Sequence, residues 1–214
     1  MAHPVWPLFD LRVATPRLEL RYIDDALGTE LALLAARGIH DPAQMPFAMP
    51  WTDVASPDLE RNAMQWYWRC RAETSPSNFH IDLAALVDGE VIGTTGLVAT
   101  EFATLRQFET GSWLGRAHQG KGFGTEMRRA TLQLGFAGLG ATLAMTSAFD
   151  DNPASLGVTR TLGYAQAGTE RKVRRGAAAS SLRFEMTRAH WEQHVRRDDM
   201  RIEGLDACLP LLGL

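Results

Sequence analysis

The run "QGKGFG", Gln119 to Gly124, sets Gly120, Gly122 and Gly124 between Gln119, Lys121 and Phe123, and Thr125 follows. Glycine lacks the Cβ that would hold an anion away from main-chain N–H groups, and it enters left-handed backbone without strain. A helix-like segment starts near Thr125, so the free N–H groups and dipole of its first turn add to the pull on a phosphate. Lys121 supplies a positive charge at the rim. Three phosphate-binding patterns compete for this run. G-x-x-x-x-G-K-[ST] matches Gly115, Gly120 and Lys121 but meets Gly122 where a Mg²⁺-holding hydroxyl is needed. The dinucleotide pattern G-x-G-x-x-G fails in both registers, at Thr125 and at Met127. The pattern Q/R-x-x-G-x-G/A is met at every fixed position by Gln119, Gly122 and Gly124.

These residues must be held by regular elements, and the pattern of apolar positions predicts them. "RLELRY" alternates and reads as a strand. "DDALGTELALLAARG" puts Leu27, Leu31 and Leu34 on one helical face, with Gly38 as the stop. A proline-rich loop carries Phe47 and Trp51. Ser56 and Pro57 then suit the start of a helix with Leu59, Ala63, Trp66 and Cys70 on its inner side. "IDLAALV" and "VIGTTGLV" are strands joined by a hairpin at Asp88 to Glu90. "FETGSWLG" is a strand leading into the glycines, and a helix from Thr125 to Phe136 leads out. "ATLAMTSAF" is another strand. "DNPASLGVTRTLG" is a short helix capped by Asn152 and closed by Gly163. A strand "SLRFEMT" and a helix "RAHWEQHVRR" come late. "RKVRR" reads as a solvated hairpin tip. Strands that come first as antiparallel neighbours and then alternate with helices predict a mixed α/β sheet in one domain.

The glycine pattern and its setting resemble the GNAT acyltransferases. "ETGSWL" is similar to that family's central strand, "GTEMRRATLQLGFA" to its long helix, "LVDGEVIGTTGL" to its hairpin, and "DNPASLGVTRTLGY" to its N-x-x-S segment. The likeness runs from about Thr15 to Trp191. It is strongest for the branch containing ribosomal-protein-alanine acetyltransferases. "WPLFDLRVATPRL" and "HDPAQMPFAMPWT" further resemble mycobacterial members described as succinyl-coenzyme A transferases. The resemblance implies a single domain with an α/β (α+β) fold. Its mostly antiparallel sheet would have six or seven strands, splayed where coenzyme A binds. It places an N-terminal arm at residues 1–14, the domain at 15–197 and a tail at 198–214.

The resemblance also implies a reaction. An amine attacks an acyl-coenzyme A thioester directly, with acetyl- or succinyl-coenzyme A as cosubstrate and no metal. The loop Gln119 to Thr125 would grip the pyrophosphate, and a free N–H near Trp113 or Leu114 would receive the oxyanion. A primary amine must lose a proton to attack. Glu109 is the candidate base, and Ser155 the candidate for assisting the leaving thiolate. Asn152 would cap its helix and touch the pantetheine arm. Phe47 and Trp51 would border the acceptor.

Composition is that of an ordinary globular chain: 214 residues, 45% hydrophobic, 22% charged, net charge −3. Nothing in it attracts nucleic acid or an anionic membrane. No apolar run is long enough to cross a bilayer and no signal peptide opens the chain, so a cytoplasmic protein is expected. Cys70 and Cys208 form no metal or redox motif. His190 and His194 lie four apart, but "HWEQH" lacks the glutamate placement of a zinc-protease helix. The apolar tail "LDACLPLLGL" would dock on its own domain or on a second copy, so a homodimer or higher oligomer is expected. Two other readings stay open: an acyl-coenzyme A binding module that catalyses nothing, and a nucleotide-binding P-loop protein.

Overall fold

The computed structural model describes residues 3–214. Nine strands form one sheet in the order β7-β8-β6-β5-β4-β3-β2-β1-β9. They are β1 (Arg12–Ala14), β2 (Glu19–Tyr22), β3 (Asn78–Val87), β4 (Glu90–Thr100), β5 (Gln107–Leu114), β6 (Leu143–Phe149), β7 (Ala165–Arg174), β8 (Ala177–Thr187) and β9 (Arg201–Glu203). Every pairing is antiparallel except β5 with β6. The helices are α1 (Asp25–Ala36), α2 (Asp58–Ala72), α3 (Phe102–Leu105), α4 (Phe123–Gln133), α5 (Pro153–Thr161) and α6 (Arg188–His194).

Alternation along β3 assigns the two faces of the sheet. Phe79, Ile81, Leu83 and Ala85 point into the larger core, which also takes Met127 and Ala130 of α4, Leu156 of α5 and Trp191 of α6. Ala84 packs instead with Leu31 and Leu34 of α1. Helices therefore cover both faces, and the two sides of β3 are both apolar along much of their length. Burying Phe79, Ile81 and Leu83 contributes about 1.5–3 kcal/mol each.

The sheet has more strands than the six or seven expected. β7 has no buried residue, so it shows no hydrophobic alternation to read. β1 and β9 are three residues each, too short to carry a period. β9 pairs with β1, and beyond it Cys208 and Leu212 are fully buried in the chain's own core. Of the two docking partners considered for the tail, the molecule thus uses its own domain. Two smaller corrections concern helix α2. Ser56 does not cap it; Pro57 holds the cap position and no side chain supplies a bond. Trp66 does not face inward but is 43% exposed, and only Leu59 and Cys70 of the helix are buried.

Candidate functional site

β5 is the pivot of the site. It pairs with β4 from Val98↔Glu109 to Gly93↔Leu114. On its other edge it meets β6 only at Gln107↔Leu143, Phe108↔Ala144 and Glu109↔Met145. Past Glu109 the two strands part. Two side-chain bonds mark the fork: Thr110 Oγ1 donates to the Met145 carbonyl at 3.3 Å, and Thr146 Oγ1 donates to the Thr110 carbonyl at 3.1 Å. Below the fork lies Arg128 of α4, only 4% exposed. It donates to Thr146 Oγ1 at 2.9 Å and to Ser112 Oγ at 3.1 Å, so one guanidinium bridges the parted strands. Its Nε and the nearby Tyr164 hydroxyl have no partner among the described residues. Tyr164 otherwise packs in the core.

The parting exposes backbone. Gly115 N–H donates to the Ile92 carbonyl at 2.9 Å, toward β4. Successive N–H groups of a strand alternate in direction, so the Leu114 N–H faces the gap and the Trp113 N–H faces β4. Of the two residues expected near an oxyanion-binding position, Leu114 therefore aims its donor at the opening.

After Leu114 the chain makes one 3-10 turn, Arg116–His118, and enters the glycine run. Gly120 and Gly122 have φ of +74° and +83°, in the left-handed region. Gly124 lies inside α4, which begins at Phe123, two residues earlier than expected. Gly122 occupies the cap position, and no side chain caps this helix. The first intrahelical bond runs from Glu126 N–H to the Gly122 carbonyl. Consequently the N–H groups of residues 120–125 donate to no acceptor among the described residues. A helix start with free donors and no side-chain cap is an anion site in its chemistry.

The loop is braced from behind. Gln119 Nε2 donates to the Ile39 carbonyl at 2.7 Å and to the Leu114 carbonyl at 2.9 Å, so its amide fastens the loop to α1's exit and to β5. Arg17 pairs with Glu126 at 2.5 Å, donates to the Lys121 carbonyl at 3.1 Å, and lies over the Phe123 ring at 4.9 Å. Thr15 Oγ1 adds a bond to Glu126 at 2.7 Å. Lys121 and Thr125 lie beside these donors, with Lys121 exposed.

Across the gap, Asn152 Oδ1 accepts from Ser155 N–H at 3.1 Å and so caps α5. The Ser155 hydroxyl is half-buried and makes no bond among the described residues. On the α1/α2 face, Phe47 and Trp51 meet at 5.5 Å between ring centroids with their planes tilted by 50°, and Trp51 meets Trp113 of β5 at 6.0 Å. The loop aromatics thus reach the central strand. Glu109 is exposed on this face at the wall of a groove of about 290 Å³, with Ser147 Oγ donating to it at 3.4 Å. Lys172, Arg183, Glu170 and Glu185 line the same groove. A larger depression, about 410 Å³, lies behind the loop around Arg37, Glu90 and His118, away from the fork.

The basic run expected to be solvated is tied down. Arg174 makes two bonds to Asp151, at 2.8 and 2.6 Å, and one to the Met45 carbonyl. Arg175 grips Asp53 at 2.7 and 2.5 Å and the Pro42 carbonyl at 3.1 Å. These guanidiniums hold both carboxyls below the usual aspartate range. Arg128, Ser147 and Arg183 escaped the sequence reading, and Lys172 entered it only as part of the basic run. Each sits in a segment whose pattern speaks only of helix or strand, and only the meeting of β5, β6, β7 and β8 gives them a shared place.

Residues 17–165 match the family model described as "Acetyltransferase (GNAT) domain". The fold is similar to a RimL ribosomal L7/L12 α-N-protein acetyltransferase solved in complex with coenzyme A. That pair has a TM-score of 0.63, 17% identity, and coverage of 81% of this chain and 95% of that one. It is similar to a GCN5-related N-acetyltransferase from Brucella melitensis (TM-score 0.66, 19% identity, 85% and 80% covered). A GNAT-family acetyltransferase from Bacillus anthracis also aligns (TM-score 0.65, 12% identity, 83% and 99% covered). Among the described residues, no helix is long and apolar enough to cross a membrane.

Proposed function

The chain belongs to the GNAT acetyltransferase family, and on that premise we propose that it transfers an acetyl group from acetyl-coenzyme A to a primary amine in a direct ternary complex. The observation that carries this reading is the set of unbonded N–H groups at residues 120–125, opening beside the fork of β5 and β6. Gly120, Lys121, Gly122, Phe123, Gly124 and Thr125 would take the pyrophosphate, with Gln119 holding the loop in shape. The pantetheine arm would run into the gap past Asn152. The thioester oxygen would then lie at the Leu114 N–H, where a donor fixed by the strand favours the charge that develops on attack.

The remaining roles follow from position. Glu109 takes the proton shed as the amine attacks. Ser155, whose hydroxyl is free, donates toward the departing thiolate. Arg128 puts a buried positive charge beneath the gap and favours the same anion. Phe47, Trp51 and Trp113 wall the acceptor entrance. The RimL relative acts, by its description, on a ribosomal protein's α-amine; a protein N-terminus is accordingly one acceptor to try.

One observation favours a second donor. Arg183 lines the groove beside Glu109 and makes no ion pair among the described residues. It is placed to meet the far carboxylate of a succinyl group. The deciding experiment measures coenzyme A release with acetyl- and succinyl-coenzyme A and a panel of defined amines. Saturable release that needs both donor and amine is expected. Tight donor binding with no release for any amine would replace the enzyme by a binding module. A preference for succinyl-coenzyme A that Arg183→Ala reverses would establish the second donor.

A further inference from the structure

Asp82 stands in the middle of β3 on the face covered by α1 and α2, where a sheet packed on helices ordinarily holds an apolar side chain. Its Oδ2 is enclosed without a partner among the described residues. Its neighbours are Tyr67 and Cys70 of α2, His80 of β3 and Tyr22 of β2. Cys70 Sγ lies 3.6 Å from His80 Nδ1, and these atoms and an Asp82 oxygen all lie within 4.8 Å of one another. Burial first, and the Asp82 charge second, push the Tyr67 hydroxyl and the Cys70 thiol upward, so both stay protonated. Burial also raises the Asp82 carboxyl, against the opposing pull of His80.

A passage connects this acid to the reaction centre. Asp82 pairs with Gly96 of β4, and Gly96 pairs with Gly111 of β5. A Cβ on Gly96 would stand 2.7 Å from Asp82 Oδ1, so the carboxylate lies over that glycine, on the side toward β5. A Cβ on Gly111 would meet nothing within 4 Å. The Asp82 carboxylate thus fills the place of a side chain on Gly96, and the place over the paired Gly111 stays open beside it. Gly111 is two residues beyond the last β5–β6 pair, between Glu109 and Trp113 on the same face. The Leu114 N–H, where the thioester oxygen would lie, is three residues or about 10 Å further along the same strand.

Resting on the acyl-transfer reading above, we propose that Asp82 accepts the first proton of the acceptor's ammonium, relayed by water across the open place over Gly111. The step balances. The ammonium gives one proton, through that water, to the Asp82 carboxylate, and the neutral nitrogen forms a C–N bond to the thioester carbon. The second nitrogen proton leaves through Glu109, and the C–S bond breaks. One of the two protons ends on the coenzyme A sulfur and the other in solvent. An enclosed carboxylate suits this exchange, since removal from water weakens both the acid's charged form and the ammonium.

The test uses acetyl-coenzyme A with spermidine, benzylamine and a lysine-free hexapeptide bearing a free N-terminus. For an amine the wild type consumes, Asp82→Asn is expected to lower kcat/KM about 100-fold at neutral pH. The deficit should shrink as pH approaches the amine's own pKa, where solution supplies the neutral form. Acetyl-coenzyme A affinity should stay at the wild-type value. Gly96→Ala, which displaces the carboxylate without removing it, should lower kcat/KM with the same pH dependence and spare donor binding. A wild-type pH profile for Asp82→Asn overturns the proposal. So does one equivalent of zinc in the purified protein that is lost in Asp82→Asn, since the carboxylate would then be a ligand. If Asp82→Asn does not fold, infrared titration of wild type decides: a carboxyl band titrating above the ordinary aspartate range and moved by spermidine is expected, and its absence refutes the role. A wild type that binds no acetyl-coenzyme A, or consumes no amine, refutes the acyl-transfer reading itself. That result is visible without any variant.

Discussion

Gly122→Ala isolates the physical demand at the centre of the phosphate loop. At φ +83° and ψ −4° an alanine meets the left-handed penalty of about 1–2 kcal/mol. Its Cβ would also stand 3.3 Å from Arg17 Nη2. That guanidinium has little freedom to yield, because Glu126 and the Lys121 carbonyl hold it. The loop must either keep its shape under strain or relax away from it. Relaxation would have to be reversed on binding, so the same 1–2 kcal/mol would appear as about a 5- to 30-fold higher Kd for coenzyme A. Gly124→Ala is the control: φ there is ordinary, and the new Cβ would touch Val158 at 3.5 Å and Leu114 at 3.7 Å. It should keep or raise Tm, since alanine favours the helix interior. Any loss of affinity it shows then reports a diphosphate lying directly against the helix start. Calorimetric titration with coenzyme A, beside thermal melts, reads both quantities. A Gly122→Ala protein with wild-type Tm and wild-type Kd would refute the loop assignment.

Three further outcomes are expected. Glu109→Gln should lower kcat about 100-fold without changing the acetyl-coenzyme A Kd, as steady-state and binding assays would show; equal kcat removes Glu109 from the reaction. The Asp53 and Asp151 carboxyls are lowered by their arginine partners, so their contribution is complete above the unfolded value near ~3.9 and fades as pH falls below it. Amide exchange at residues 172–178 should accordingly rise on acidification to pH ~3, and also in high salt, after correction for intrinsic rates. Burial pushes the Cys208 thiol up to about 11 and raises Cys70 as well. A thiol reagent should react with neither until the chain unfolds. Stability from these two groups is complete below the unfolded thiol value of ~8.5 and declines as pH climbs toward the folded values.

Most of the core was legible because its elements are long and their apolar positions periodic. Leu31 and Leu34 announced α1, and the alternating runs around Asp88–Glu90 announced β3 and β4. β7 stayed hidden because its pairing with β8 rests on main-chain bonds and exposed side chains. In the site, Gly120 and Gly122 were legible as glycines whose backbone needs freedom, and the structure gives both positive φ. The use of Gln119 was not: its amide reaches Ile39, eighty residues away in sequence. Arg128 reads as a surface charge of an amphipathic helix, yet it is buried because β5 and β6 part above it and leave two hydroxyls for it to hold. Asp82 gave no signal within "IDLAALV" beyond interrupting an apolar run, since its meaning depends on glycines in two other strands.

Arg175 fastens the β7–β8 tip to the loop carrying Phe47 and Trp51 through Asp53, and Arg174 does so through the Met45 carbonyl while also holding Asp151 at the start of α5. Two segments remote in sequence are thereby made one mechanical body. Neither can swing aside alone, so admitting a bulky guest requires both clasps to release together.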